Sequence, residues 1–110
     1  MRLLGGQRPW VIQRLTALYL LLFLAASVAY VALGNPLTFT AWRTLVAQPV
    51  VKVGFFLMFS SIFLHAWIGL RDVLLDYVHP LPLRMLLLAS IAAGLIALEA
   101  WVVIILAGAR

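Results

Sequence analysis

Three apolar runs, each near the length of a helix that crosses a bilayer, constrain this chain more than any other feature. Leu15 to Leu33 carries no charge and closes at "GNP". "VGFFLMFSSIFLHAWIGL", Val53 to Leu70, follows Pro49 and Lys52 and extends through Arg71–Tyr77 toward the interface, giving a second span over about 53–75. The third runs from Met85 to Gly108 and is interrupted only by Glu99. About 20 residues rising ~1.5 Å each cover the ~30 Å of hydrocarbon in a bilayer. The pattern therefore predicts an all-α membrane protein, a single anchor domain of three transmembrane helices. Composition agrees: 66% of the residues are hydrophobic and the mean hydropathy is +1.16, too apolar for an ordinary soluble domain.

The connections carry their own signals. Between the first two spans, "NPLTFTAWRTLVAQP" suggests a short interfacial helix capped by Thr40, with Trp42, Leu45 and Val46 on one side and Trp42 as an anchor in the headgroup layer. "HPLPLR" separates the second and third spans, and its two prolines are expected to end one helix and delay the next. The N-terminal "MRLLGGQRPWVIQR" is basic but shows no small-residue cleavage site, so the first span reads as retained and not as a removed signal peptide.

Charge sets an orientation and excludes some chemistry. The net charge of +5 comes from basic residues scattered singly, which flank spans and form no nucleic-acid-binding patch. Arg2, Arg8, Arg14, Arg71 and Arg84 fall at one end of the predicted bundle, against Arg43, Lys52 and Arg110 at the other. The positive-inside rule then puts the N-terminus and the "DYVHPLPLR" loop in the cytoplasm. With no cysteine, disulfides and thiolate-held metal centres are excluded within the chain. A metal would have to come through His65 or His79, or through Asp72, Asp76 or Glu99.

The second span carries a polar line. Positions 4, 7 and 11 apart return to nearly the same helix face, and counting from His65 gives Gly54, Met58, Ser61, His65, Gly69, Asp72 and Asp76. Phe55, Phe56, Phe59, Phe63 and Trp67 take other faces. Small residues admit close approach and polar ones face lipid only at a cost, so this seam is expected to face protein partners or a bound ligand. His65 lies within the hydrocarbon and needs a partner: a helix–helix hydrogen bond, a proton relay or a metal. Haem iron accepts one imidazole nitrogen per face, so one chain can supply one ligand and a partner chain the other. His79, 14 residues and about 21 Å further on, lies beyond membrane depth.

Asp76 and Tyr77 follow His65 by about 16 to 18 Å, where the helix meets the headgroups. A tyrosine here reads either as an aromatic-belt residue or as a hydrogen-bond donor to the carbonyl of a lipid-soluble quinone. Asp76 would orient a basic group, conduct protons or accept a bond from Arg84. Glu99 reads as a protonated or partner-paired structural residue, and Ser27, Tyr30, Ser90 and Gly94 as helix-packing positions.

The stretch "HAWIGLRDVLLDYVHPLPLR" resembles the signature of the smaller hydrophobic membrane-anchor subunits of succinate dehydrogenase, the succinate:quinone oxidoreductase of respiratory complex II. The likeness rests on a histidine, a glycine four residues on and Asp-Tyr at 11 and 12, and extends more weakly to "IQRLTALYL" at residues 12–20. It implies that His65 is an axial ligand of a b-type haem shared with the larger cytochrome b anchor subunit. It also implies that Tyr77 hydrogen-bonds ubiquinone near the iron–sulfur subunit, with Asp76 in the same network. Arg14 and Arg71 become candidates for haem-propionate or quinone-site electrostatics, or are positive-inside anchors. Succinate chemistry would belong to a separate flavoprotein subunit, and the membrane would be the bacterial cytoplasmic membrane. Three competing readings stand beside it: a fumarate reductase anchor, a small proton-coupled transporter using His65 and Glu99, and a cofactor-free adaptor.

Overall fold

The computed structural model describes residues 7–110; Arg2, counted above toward orientation, lies outside them. The described chain is helical between short connections: α1 (Gln7–Ala32), α2 (Phe39–Ala47), α3 (Pro49–Tyr77) and α4 (Leu81–Gly108). α1, α3 and α4 are each long and apolar enough to cross a membrane, so this is an integral membrane protein. The bundle is elongated, 51 × 25 × 25 Å. α3 is its centre: α1 and α4 pack on it from different sides, and α2 folds against its first turns.

The helices run past the apolar segments. α1 begins eight residues before Leu15, at Gln7, with Pro9 in the first turn, where a helix has no use for the missing N–H. It ends at Gly34, whose φ of 86° is the left-handed geometry a glycine adopts without penalty. Gly34 N–H bonds the Val31 carbonyl, and the Asn35 amide reaches the Tyr30 carbonyl at 2.8 Å. Carbonyls at the helix end, which have no partner within the helix, thus find donors in the chain.

Two expectations about the connections are corrected. The cap of α2 is Thr38, not Thr40: Thr38 Oγ1 accepts the Ala41 N–H, and Thr40 lies inside the helix, where its carbonyl takes a bond from Thr44. The prolines of "HPLPLR" do not delay the next helix, for α4 starts at Leu81 with Pro80 as its cap and Pro82 in its first turn. That turn needs no proline N–H, so only Val78, His79 and Pro80 separate α3 from α4. Between α2 and α3 the break is one residue, Gln48, held extended before Pro49.

Trp42, Leu45 and Val46 do share one side of α2, with the Trp42 ring edge-on to Phe55 at 5.5 Å between centroids. At the same end, Lys52 Nζ donates to the Ala109 carbonyl and Arg43 Nε to the Arg110 carbonyl, so two cations satisfy the C-terminal end of α4. Among the described residues only Ile68 and Thr16 are buried by the chain itself. Helices apolar all round, with little self-burial, take their solvent from lipid or from other membrane chains.

Candidate functional site

The polar line of α3 meets a matching line on α1. Gln13, Thr16, Tyr19 and Phe23 recur at three- and four-residue spacing and turn toward α3. At one level the Tyr19 hydroxyl donates to the Gly54 carbonyl at 2.8 Å, and Phe23 lies 3.7 Å from where a Gly54 Cβ would stand. Small residues on α3 therefore admit α1 closely, and the seam expected to face a partner or ligand faces the first helix of the same chain.

His65 sits in this seam, half-buried, with both ring nitrogens in contact with α1. Its Nδ1 lies 3.2 Å from Thr16 Oγ1 and its Nε2 lies 3.3 Å from Gln13 Nε2. Thr16 has already placed its hydroxyl hydrogen toward its own helix, 2.8 Å from the Ile12 carbonyl and 3.0 Å from that of Gln13. It is left to accept, so the imidazole donates from Nδ1. The Gln13 amide is a donor as well, which requires a lone pair on His65 Nε2. The two contacts fit one tautomer, Nδ1–H with a lone pair on Nε2, in which Nε2 is the nitrogen able to bind a Lewis acid. That side is also the less satisfied, for the side-chain Oε1 of Gln13 is buried with no partner among the described residues.

The other predicted residues gather at one end of the bundle, where α3 ends and α4 begins. Tyr77 is the last residue of α3 and is 78% exposed, its hydroxyl free to meet a molecule at the surface. Asp76 is exposed beside it, and among the described residues no ion pair joins it to Arg84. The ion pair there is Arg71 with its neighbour Asp72, two nitrogens within 3.2 Å of one carboxylate oxygen. Arg14, near the start of α1, stacks its guanidinium over Trp10 at 4.8 Å. His79 is exposed in the connection.

Glu99 lies apart, in the α3–α4 contact, where Ser60 Oγ donates to Oε1 at 2.6 Å and Oε2 is buried without a partner among the described residues. With Phe56, Phe63 and Trp67 it lines an apolar groove of about 480 Å³. His65 turns to α1 and Glu99 to Ser60, so the two form no common relay. Ser27 and Ser90 return their hydroxyls to their own helices, and Gly94 has open space around it, so these three do not pack the chain's helices. Tyr30 is half-buried and borders a second groove, of about 390 Å³, beneath α2. Sequence reasoning missed Gln13, Thr16 and Ser60; a second polar line in the first span, at the same spacing as that of α3, was the available signal for the first two.

Known proteins resemble this chain in sequence. The family described as succinate dehydrogenase/fumarate reductase transmembrane subunit matches residues 7–106. The succinate dehydrogenase hydrophobic membrane anchor subunit of Coxiella burnetii (strain RSA 493 / Nine Mile phase I) is 29% identical over 98 residues, covering 89% of this chain and 85% of that protein.

Proposed function

Since the chain belongs to the succinate dehydrogenase/fumarate reductase transmembrane subunit family, we propose that it is the smaller anchor of a succinate:quinone oxidoreductase, with His65 an axial ligand of a b-type haem and Tyr77 a wall of the ubiquinone site. His65 carries this reading. It is an imidazole at membrane depth, held at Nδ1 by Thr16, whose Nε2 meets only a long contact from the Gln13 amide. That donor set fits haem iron, which takes a single imidazole nitrogen on each face. The second ligand comes from the larger cytochrome b anchor subunit. The haem, when bound, supplies a one-electron site within the membrane.

At the end of α3, beside the seam, the Tyr77 hydroxyl donates to a quinone carbonyl oxygen, placing the ring where α3 meets the interface. Reduction to the quinol takes two electrons from the iron–sulfur subunit and two protons from water, which the exposed Asp76 and His79 border. Arg14 and Arg71 keep this end positive, toward haem propionates or the quinone headgroup. Their side chains already contact Trp10 and Asp72, so they act through field more than through free donors. Succinate oxidation stays with the flavoprotein subunit. The excess of arginine at this end supports a cytoplasmic placement of it in a bacterial inner membrane. The relative's name favours succinate oxidation over fumarate reduction.

The test is His65→Ala in the complex purified with its native partners. The expected outcome is loss of the b-type haem spectrum or greatly weakened haem retention. An unchanged spectrum and midpoint potential would remove the ligand assignment.

A further inference from the structure

We infer that Thr16 is a positioning residue for His65: its hydroxyl, locked onto the α1 backbone, holds the imidazole by Nδ1 and so aims Nε2. The inference rests on the haem reading above. Thr16 is the one polar side chain buried among the described residues, at 7% exposure, in a chain that buries almost nothing. A threonine in a helix has few rotamers, and bonding to the carbonyl one turn back selects one of them. The Ile12 carbonyl at 2.8 Å and the Gln13 carbonyl at 3.0 Å make that selection here. The hydroxyl hydrogen is thereby used, and the oxygen presents a fixed lone pair to α3, 3.2 Å from His65 Nδ1.

Two consequences follow for the ring. Its rotation about the Cβ–Cγ bond is fixed by a partner on a different helix, and its Nδ1–H is held on the side away from Nε2. A ligating histidine held in this way through its other nitrogen has a set plane and raised basicity. Gln13 lies on the opposite side of the same ring, 3.3 Å from Nε2 through its amide nitrogen, with its side-chain Oε1 unpartnered among the described residues. Gly69, one turn along α3, leaves it room: a Cβ there would stand 3.9 Å from Gln13 Nε2.

The alternative role for Thr16 is helix–helix adhesion alone, and the two differ in what the haem reports. In oxidised low-spin haem, the largest g value of the electron paramagnetic resonance signal depends on how the two axial ring planes are turned against each other. Freeing one ring moves that value, whereas loosening two helices does not. Losing the Nδ1 bond also makes the imidazole a poorer donor to ferric iron, which raises the midpoint potential.

The experiment compares Thr16→Val, Thr16→Ala, Thr16→Ser and His65→Ala in the complex purified with its native partners. We expect Val and Ala to move the largest g value, raise the potential and weaken haem retention about 10-fold or more, the usual cost of removing such a support. Ser, which keeps the hydroxyl, should match the parent. A parental g value and potential in either hydroxyl-less variant would overturn the inference. So would failure of both to assemble while Ser assembles, since that assigns Thr16 to adhesion. If His65→Ala abolishes the haem signal and Thr16→Val leaves it unchanged, only the positioning role falls. If His65→Ala itself keeps the signal, the ligand reading falls with it.

Discussion

At the scale of single residues, two proposed tasks fall at different depths and on different faces of α3. His65 is held within the membrane by side chains of α1, and Tyr77 stands exposed about 18 Å further along α3. A hydroxyl that donates only to a bound quinone contributes to binding and turnover but supports no fold. Tyr77→Phe should therefore lower succinate-driven ubiquinone reduction by about 2- to 10-fold, in line with a lost hydrogen bond of about 0.5 to 1.5 kcal/mol. Succinate oxidation with a soluble artificial acceptor should stay at the parental rate. Equal loss of both activities would count against a quinone contact. His65 was legible in the sequence because an imidazole within hydrocarbon demands a partner. That its partners are Gln13 and Thr16 was not, since threonine and glutamine near the start of a span read equally well as interface residues. Glu99 was legible as a carboxylate within the membrane that is protonated or paired, but Ser60, its hydrogen-bond donor, was one hydroxyl among several with no pattern to single it out.

At the scale of elements, the α1–α3 contact is what positions His65. It works through close approach: Gly54 brings α3 near enough for the Tyr19 hydroxyl to reach a backbone carbonyl and for Phe23 to lie against the gap. Gly54→Ala should be tolerated, because its Cβ meets Phe23 at 3.7 Å, an ordinary contact. Gly54→Leu should push the helices apart at a cost of about 1 to 3 kcal/mol. The readouts are a lower thermal midpoint of the purified complex and looser haem, and a Leu variant as stable as the parent would refute the close-contact account. Helix periodicity made the seam itself visible in the sequence. Its direction was not, because a stripe of small and polar residues says that something approaches closely without saying whether that is the same chain. Helix ends were read short for a related reason. Apolar runs report lipid contact, whereas α1 and α4 begin in polar or proline-containing turns where the backbone is already helical.

At the scale of the whole molecule, the chain buries only two of its described residues and leaves three long apolar helices covered by nothing of its own. A protein built in this way gains its remaining packing from lipid and from partner subunits. That fits a transmembrane subunit of the succinate dehydrogenase/fumarate reductase family. Hydropathy made the three spans legible, and the Asp-Tyr pair falls where α3 ends. The partners left no trace in the composition, because a helix that faces a protein and one that faces lipid are both apolar. The measurement that tests the account most directly is succinate-driven ubiquinone reduction by material purified through a tag on this chain, in mild detergent, with its native partners. The account predicts activity together with co-purifying flavin, iron–sulfur clusters and b-type haem. An intact, well-folded preparation that brings down none of these and reduces no quinone would contradict it.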